Sequence, residues 1–190
     1  MNYNKTDCLP SFLIDSWQAF DTVTLPVVAF WGQPGSGKSS TLKKILGSGA
    51  SLYPKVGLET DATDWLRDSP LFFHTSFISF MDTPGYGTKK YSVSDFIDLF
   101  PFSKLALNIF FVSGKIYSDD VKFFKKLIES RKRICLVRSF SDSLEKESIN
   151  LIVNDLRKSF DFQGKIIFLS NKNNIGYIKL KEWIRNELNF

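Results

Sequence analysis

The chain has 190 residues and a formal net charge of +5, which suits one domain with a full core and, lacking an arginine cluster or interleaved aromatics, weighs against direct nucleic-acid binding. No apolar run approaches membrane-spanning length, and Met1 to Asp7 lack the apolar stretch of a secretory leader, so neither a transmembrane nor an exported chain is expected. Two distant cysteines, Cys8 and Cys135, exclude a disulfide scaffold and point to a reducing, cytoplasmic setting, with Cys135 a buried thiol in an apolar run.

Residues 1–24 read as an N-terminal extension, expected to be helical, ahead of a domain spanning 25–190. Phe12, Leu13, Trp17 and Phe20 fall along one side of such a helix. That side either packs on the domain or serves as a surface for dimerisation or peripheral membrane contact.

Val27-Val28-Ala29-Phe30-Trp31 is a short apolar run and predicts a buried strand, and Thr41 to Leu46 predicts a helix closed at Gly47. Between them stands Gly32-Gln33-Pro34-Gly35-Ser36-Gly37-Lys38-Ser39, which matches GxxxxGK[ST] in full. Strand, glycine loop and helix together are the context in which this pattern binds phosphate. Gly35 and Gly37 lack a Cβ, so the backbone can curl round phosphate oxygens and turn its N–H groups inward. The helix that begins here aims its positive dipole end at the same oxygens. Lys38 is placed for the β- and γ-phosphates and the Ser39 hydroxyl for Mg²⁺, with Ser36 and Ser40 completing the nucleotide-binding stretch.

Leu71 to Met81 is a long β-prone run that ends in Asp82-Thr83-Pro84-Gly85. This has the form DxxG. A carboxylate there can hold Mg²⁺ through water, and the Gly85 N–H can meet the γ-phosphate from a loop that moves when that phosphate leaves. Further on, Ser92 with Asp95 predicts the cap of a short helix that Pro101 ends. Ala106 to Val112, Ile134 to Val137 and Ile166 to Leu169 predict strands covered on both faces. Ser118 is the expected cap of a helix with Asp119 and Asp120 in its first turn; later helices carry Ile149, Ile152, Val153, Leu156 and Phe160, and then Leu180, Trp183, Ile184 and Leu188. Alternating βα units predict a doubly wound α/β sandwich with its ligand at the carboxyl ends of the strands.

From GQPGSGKS and DTPG, and from the order of elements between Val27 and Leu188, the chain resembles the P-loop GTPases, in particular those related to the translation factors. Its phrasing is also similar, more distantly, to immunity-related and dynamin-like small GTPases. The resemblance implies a three-layer P-loop sandwich with a mostly parallel six-stranded sheet, one strand being antiparallel. It implies a GTP/GDP ligand with Mg²⁺, hydrolysis to GDP, and switch segments presented to a protein effector or a second copy. It implies a Mg²⁺-binding threonine in the first switch, for which Thr60 is preferred over Thr63 because it leaves more room for a β-hairpin turning at Asp68-Ser69-Pro70. Ser39, Thr60 and Asp82 would then organise the metal, and Lys38, Thr60 and Gly85 would serve the reaction.

The base-reading motif departs from its family. Asp142 stands where the guanine-specifying aspartate belongs, but Phe140 replaces the lysine that lies along the base, and its ring could cover the base face instead. Ser170-Asn171 occupies the fifth motif. Tyr86 follows DxxG where related enzymes use a glutamine to orient water, and it lacks the paired amide donor and acceptor. Slow intrinsic hydrolysis, stimulated by a partner or by self-association, is the expectation. An ATP-specific P-loop enzyme and a degenerate pseudo-GTPase serving as an interaction module are the rival readings.

Overall fold

The computed structural model describes residues 18–57, 63, 65, 70–88 and 92–190. Strand β1 (Val27–Gly32) is buried along its whole length. Its pleat sends Val27, Ala29 and Trp31 into one core and Val28 and Phe30 into another on the opposite face. Strands β2 (Phe73–His74), β3 (Ser79–Asp82), β4 (Leu107–Val112), β5 (Arg133–Arg138) and β6 (Lys165–Phe168) follow. They join β1 in a six-stranded sheet ordered β2-β3-β1-β4-β5-β6. Every pair is parallel except β2 with β3.

Helices α1 (Lys38–Leu46) and α5 (Tyr177–Leu188) cover one face through Leu42, Leu180, Trp183 and Ile184. Helices α2 (Val93–Leu99), α3 (Ser118–Glu129) and α4 (Ile149–Phe160) cover the other through Phe96, Phe123, Phe124, Leu127 and Leu156. This is the three-layer sandwich expected from the sequence. Double coverage is why β1, β4 and β5 read as unbroken apolar runs. No described helix is long and apolar enough to cross a membrane.

The core that holds Trp31 is rich in aromatic rings. The Trp31 ring meets Phe100 at 4.9 Å and Phe123 at 5.0 Å between centroids, and such pairs add about 0.5–1.5 kcal/mol each beyond the area they bury. Its indole N–H donates to Asn108 Oδ1 at 2.8 Å, so the buried donor is satisfied. Phe20, from helical residues 18–22, closes this core against Phe72 and Phe100 at 5.1 and 5.8 Å. Phe12, Leu13 and Trp17 lie outside the described residues. Cys135 is buried on β5, where desolvation pushes its thiol well above the ordinary value.

Two local expectations are corrected. The run from Leu71 to Met81 is two strands joined by a hairpin that turns at Thr75–Ile78; of the turn expected at Asp68-Ser69-Pro70, Asp68 and Ser69 lie outside the described residues. There Thr75 N donates to the Ile78 carbonyl at 2.8 Å, and Thr75 Oγ1 accepts from Ile78 N at 3.0 Å. The threonine side chain replaces a missing backbone partner, so neither glycine nor proline is required. Ser118 is the first residue of α3, not its cap. Tyr117 precedes the helix in extended conformation, and its N–H donates to Asp120 Oδ2 at 2.9 Å.

Candidate functional site

The carboxyl ends of β1, β3 and β5 deliver three loops to one rim of the sheet. The glycine loop after β1 has Gly35 and Gly37 at φ of 73° and 92°, left-handed values that only glycine adopts cheaply. Gly37 leads directly into α1, so the free N–H groups of that helix face the loop. Within the loop the Lys38 ammonium donates to the carbonyls of Gly32 at 2.9 Å and Gln33 at 3.0 Å. Lys38 is buried. Desolvation pulls its pKa from 10.5 down to about 8, with nearby Asp82 opposing the fall. A polyanion in the loop would favour the charged ammonium in the same way.

Beside it, three oxygens converge. The Ser39 hydroxyl donates to Asp82 Oδ2 at 2.6 Å, Thr63 Oγ1 donates to the same oxygen at 3.0 Å, and the two hydroxyls lie 3.1 Å apart. Burial raises the Asp82 pKa, while Lys38 and these hydroxyls lower it. Asp82 Oδ1 is buried with no hydrogen-bond partner among the described residues. A buried carboxylate with one oxygen unsatisfied, flanked by two hydroxyls, is a hard-oxygen donor set that suits Mg²⁺. Thr63 occupies this place; Thr60, the preferred candidate, lies outside the described residues.

The DxxG loop is held close to the glycine loop. A Cβ on Gly85 would stand 2.4 Å from Pro34, so only glycine fits this approach. Thr83 Oγ1 donates to the Phe30 carbonyl at 2.6 Å, and Trp65 Nε1 donates to the Asp82 carbonyl at 3.1 Å. Tyr86 turns away from the cavity. It is buried, stacked on Phe123 at 4.6 Å and 10°, with its hydroxyl donating to Asp120 Oδ1 at 2.6 Å.

Ser139 ties down the loop that follows β5. Its Oγ lies 2.8 Å from the Ser36 carbonyl and 3.2 Å from that of Val112. Phe140 follows in the left-handed region at φ 52° and is 43% exposed. Asp142 is exposed, and Ser170 Oγ donates to its Oδ1 at 2.6 Å. That bond chiefly holds the Asp142 carboxyl below its ordinary pKa. Thr41 Oγ1 donates to Asn171 Oδ1 at 3.3 Å, and Lys44 donates to the Asn171 carbonyl and, at 2.7 Å, to Asn174 Oδ1.

These loops enclose a cavity of about 490 Å³, large enough for a nucleotide. Of the residues expected from sequence, Gly35, Gly37, Lys38, Ser39, Ser40, Gly85, Phe140 and Asn171 line it. Ser36 and Asp82 lie buried behind the wall, and the Asp142–Ser170 pair stands beside it. Sequence reasoning missed Pro34, Lys55, Val56 and Gly57 as lining residues. It also missed Ser139, whose place at the head of the fourth motif was the available signal.

The chain as a whole is similar to known proteins. The sequence model of the family described as 50S ribosome-binding GTPase matches residues 27–154. The chain is 26% identical over 156 residues to GTPase Der of Chloroflexus aurantiacus, covering 75% of this chain and 34% of that protein. It thus spans about a third of the length of the curated relatives it matches. Among solved structures, a probable GTP-binding protein EngB superposes with a TM-score of 0.66 at 16% identity, over 86% of this chain and 98% of that one. Era, solved with MgGDPNP and a segment of 16S ribosomal RNA, gives 0.65 at 17% identity over 86% of this chain and 56% of its own. Bacterial elongation factor EF-Sec gives 0.64 at 17% identity over 88% and 29%. With its family model spanning more than half its length, the chain belongs to the P-loop GTPases related to the translation factors, in the family described as 50S ribosome-binding GTPases.

Proposed function

We propose that this chain binds GTP with Mg²⁺, hydrolyses it to GDP and phosphate, and works as a nucleotide-dependent switch, with residues 25–190 as the G domain and 1–24 as an extension. The observation that carries the reading is the meeting of Ser39 and Thr63 on Asp82 Oδ2 beside the buried Lys38 ammonium. Lys38 neutralises the β- and γ-phosphates once they displace the Gly32 and Gln33 carbonyls from its ammonium. Ser39, Thr63 and Asp82 would hold Mg²⁺, which when bound would supply positive charge against the phosphates. Gly85, close against Pro34, is the point at which the presence of the γ-phosphate is registered.

Phe140 offers an aromatic face to the base, and Asp142, set by Ser170, accepts from the N1–H and exocyclic amine of guanine. Adenine does not present those two donors together. Tyr86, buried and bonded to Asp120, takes no part in orienting the attacking water. Hydrolysis by the isolated chain is therefore slow, and a protein partner or a second copy docking on the switches supplies the stimulation. The test is competition for bound fluorescent GDP, followed by product analysis. GTP and GDP displace the probe, ATP does not, and labelled GTP yields GDP at a rate that rises with protein concentration or added partner. Displacement by ATP alone favours the ATP-specific reading. Binding without turnover under every condition favours a pseudo-GTPase.

A further inference from the structure

Asp120, in the first turn of α3, does not line the nucleotide cavity, yet it is buried and hydrogen-bonded through both oxygens. Its Oδ1 accepts from the Tyr86 hydroxyl at 2.6 Å and from Gln33 Nε2 at 3.1 Å, while Oδ2 accepts from the Tyr117 N–H at 2.9 Å. These three donors belong to the DxxG loop, the glycine loop and the start of α3. One carboxylate thus joins both phosphate-facing loops to a helix of the main core.

The arrangement asks why the residue after DxxG is a tyrosine. A phenylalanine would stack on Phe123 and Phe110 equally well. The hydroxyl carries a desolvation cost when buried and is kept only with a strong acceptor. Asp120 is that acceptor, and the bond fixes the residue next to Gly85. Gly85 in turn sits where its Cα leaves no room for a side chain against Pro34. Gln33, one residue before Pro34, is held by the same carboxylate, so the two sides of this contact share one anchor.

We propose that Asp120 is a positioning residue that acts through Tyr86: it holds Gly85 at the glycine loop in readiness for a γ-phosphate, so that the site distinguishes GTP from GDP. The proposal rests on the reading of the site as a GTP-dependent switch. It differs from a purely structural role because GDP has no γ-phosphate for Gly85 to meet, so only GTP affinity depends on the anchor.

The experiment is calorimetric titration of the full chain with Mg²⁺, using GDP and a non-hydrolysable GTP analogue, on wild type, Y86F, D120A, D120N and Y86F/D120A. Y86F lowers affinity for the analogue by about tenfold and leaves GDP unchanged. D120A does the same, and the double variant loses no more than D120A alone, because both changes cut one connection. D120N, which keeps the Oδ1 acceptor, recovers most of the discrimination. Y86F keeps the ring stacking, so the proposal stands or falls on that variant should D120A not fold. Equal loss for both nucleotides, additive losses, or no change in either overturns the proposal while leaving the switch reading intact. A wild-type chain that binds neither nucleotide overturns both.

Discussion

The Ser39 hydroxyl donates to Asp82 Oδ2 across 2.6 Å, joining the end of the glycine loop to the end of β3 over 43 positions of sequence. Neighbouring β1 and β3 run parallel and in register, Phe30 opposite Asp82. Their carboxyl ends therefore bring a hydroxyl and a carboxylate, two of the proposed Mg²⁺ ligands, to one place. Thr63 completes the set by bonding to the same oxygen.

Asp82→Asn removes the anionic oxygen and leaves the size of the side chain. The gain in GTP affinity on adding Mg²⁺ should fall by about tenfold or more, the equivalent of about 1.4 kcal/mol. Thr63→Ala should weaken it by roughly fivefold, as expected for one lost neutral hydrogen-bonding ligand. Titration of a fluorescent GTP analogue with and without Mg²⁺ reads both. Thr63→Ala without effect would return the role to Thr60.

In the proposed function, recognition of the base divides between Phe140 and Asp142. Phe140→Ala should weaken GDP and GTP alike by on the order of 1–3 kcal/mol, the range for a base stacked on an aromatic ring. Asp142→Ala should abolish the preference for GDP over inosine diphosphate, which lacks the exocyclic amine. Competition titrations with the three diphosphates of guanosine, inosine and adenosine measure both effects.

How much of this was legible beforehand depends on whether the signal was local. The parallel strands and the order of elements follow from apolar runs that need cover on both faces, and Lys38, Ser39 and Asp82 follow from compact motifs. The turn between β2 and β3 was missed because Phe77 and Ile78 hide it inside an apolar stretch, and because a Thr75 side chain does the work expected of glycine or proline. Thr60 was preferred over Thr63 for the room it leaves for a hairpin, a spacing argument that says nothing of which side chain reaches Asp82, where Thr63 is bonded. The orientation of Tyr86 was out of reach. Its type is written at one position, but its partner Asp120 stands 34 positions later on another element.

Tyr86 also sets a pH dependence. Burial first, and then the charge and hydrogen bond of Asp120 with a further contribution from Asp119, raise its pKa well above 10. In the unfolded chain a tyrosine ionises near 10. The folded state therefore resists losing a proton that the unfolded state gives up. The stability from the neutral phenol is fully present below about pH 10 and is lost as pH rises beyond it. Melting temperatures between pH 8 and 11 should fall at the alkaline end in wild type and fall less in Y86F. Parallel curves for the two proteins would contradict the buried, bonded phenol.

The central claim is that a glycine loop, one buried ammonium and a divalent cation form a cage for guanine nucleotide phosphates. Calorimetric titration of GTP with Mg²⁺ into wild type and Lys38→Ala tests it most directly. The account predicts saturable one-to-one binding to wild type and a loss of about a hundredfold or more in the variant, as expected when a charge-assisted contact to a polyanion is removed. Equal binding by both proteins would contradict it.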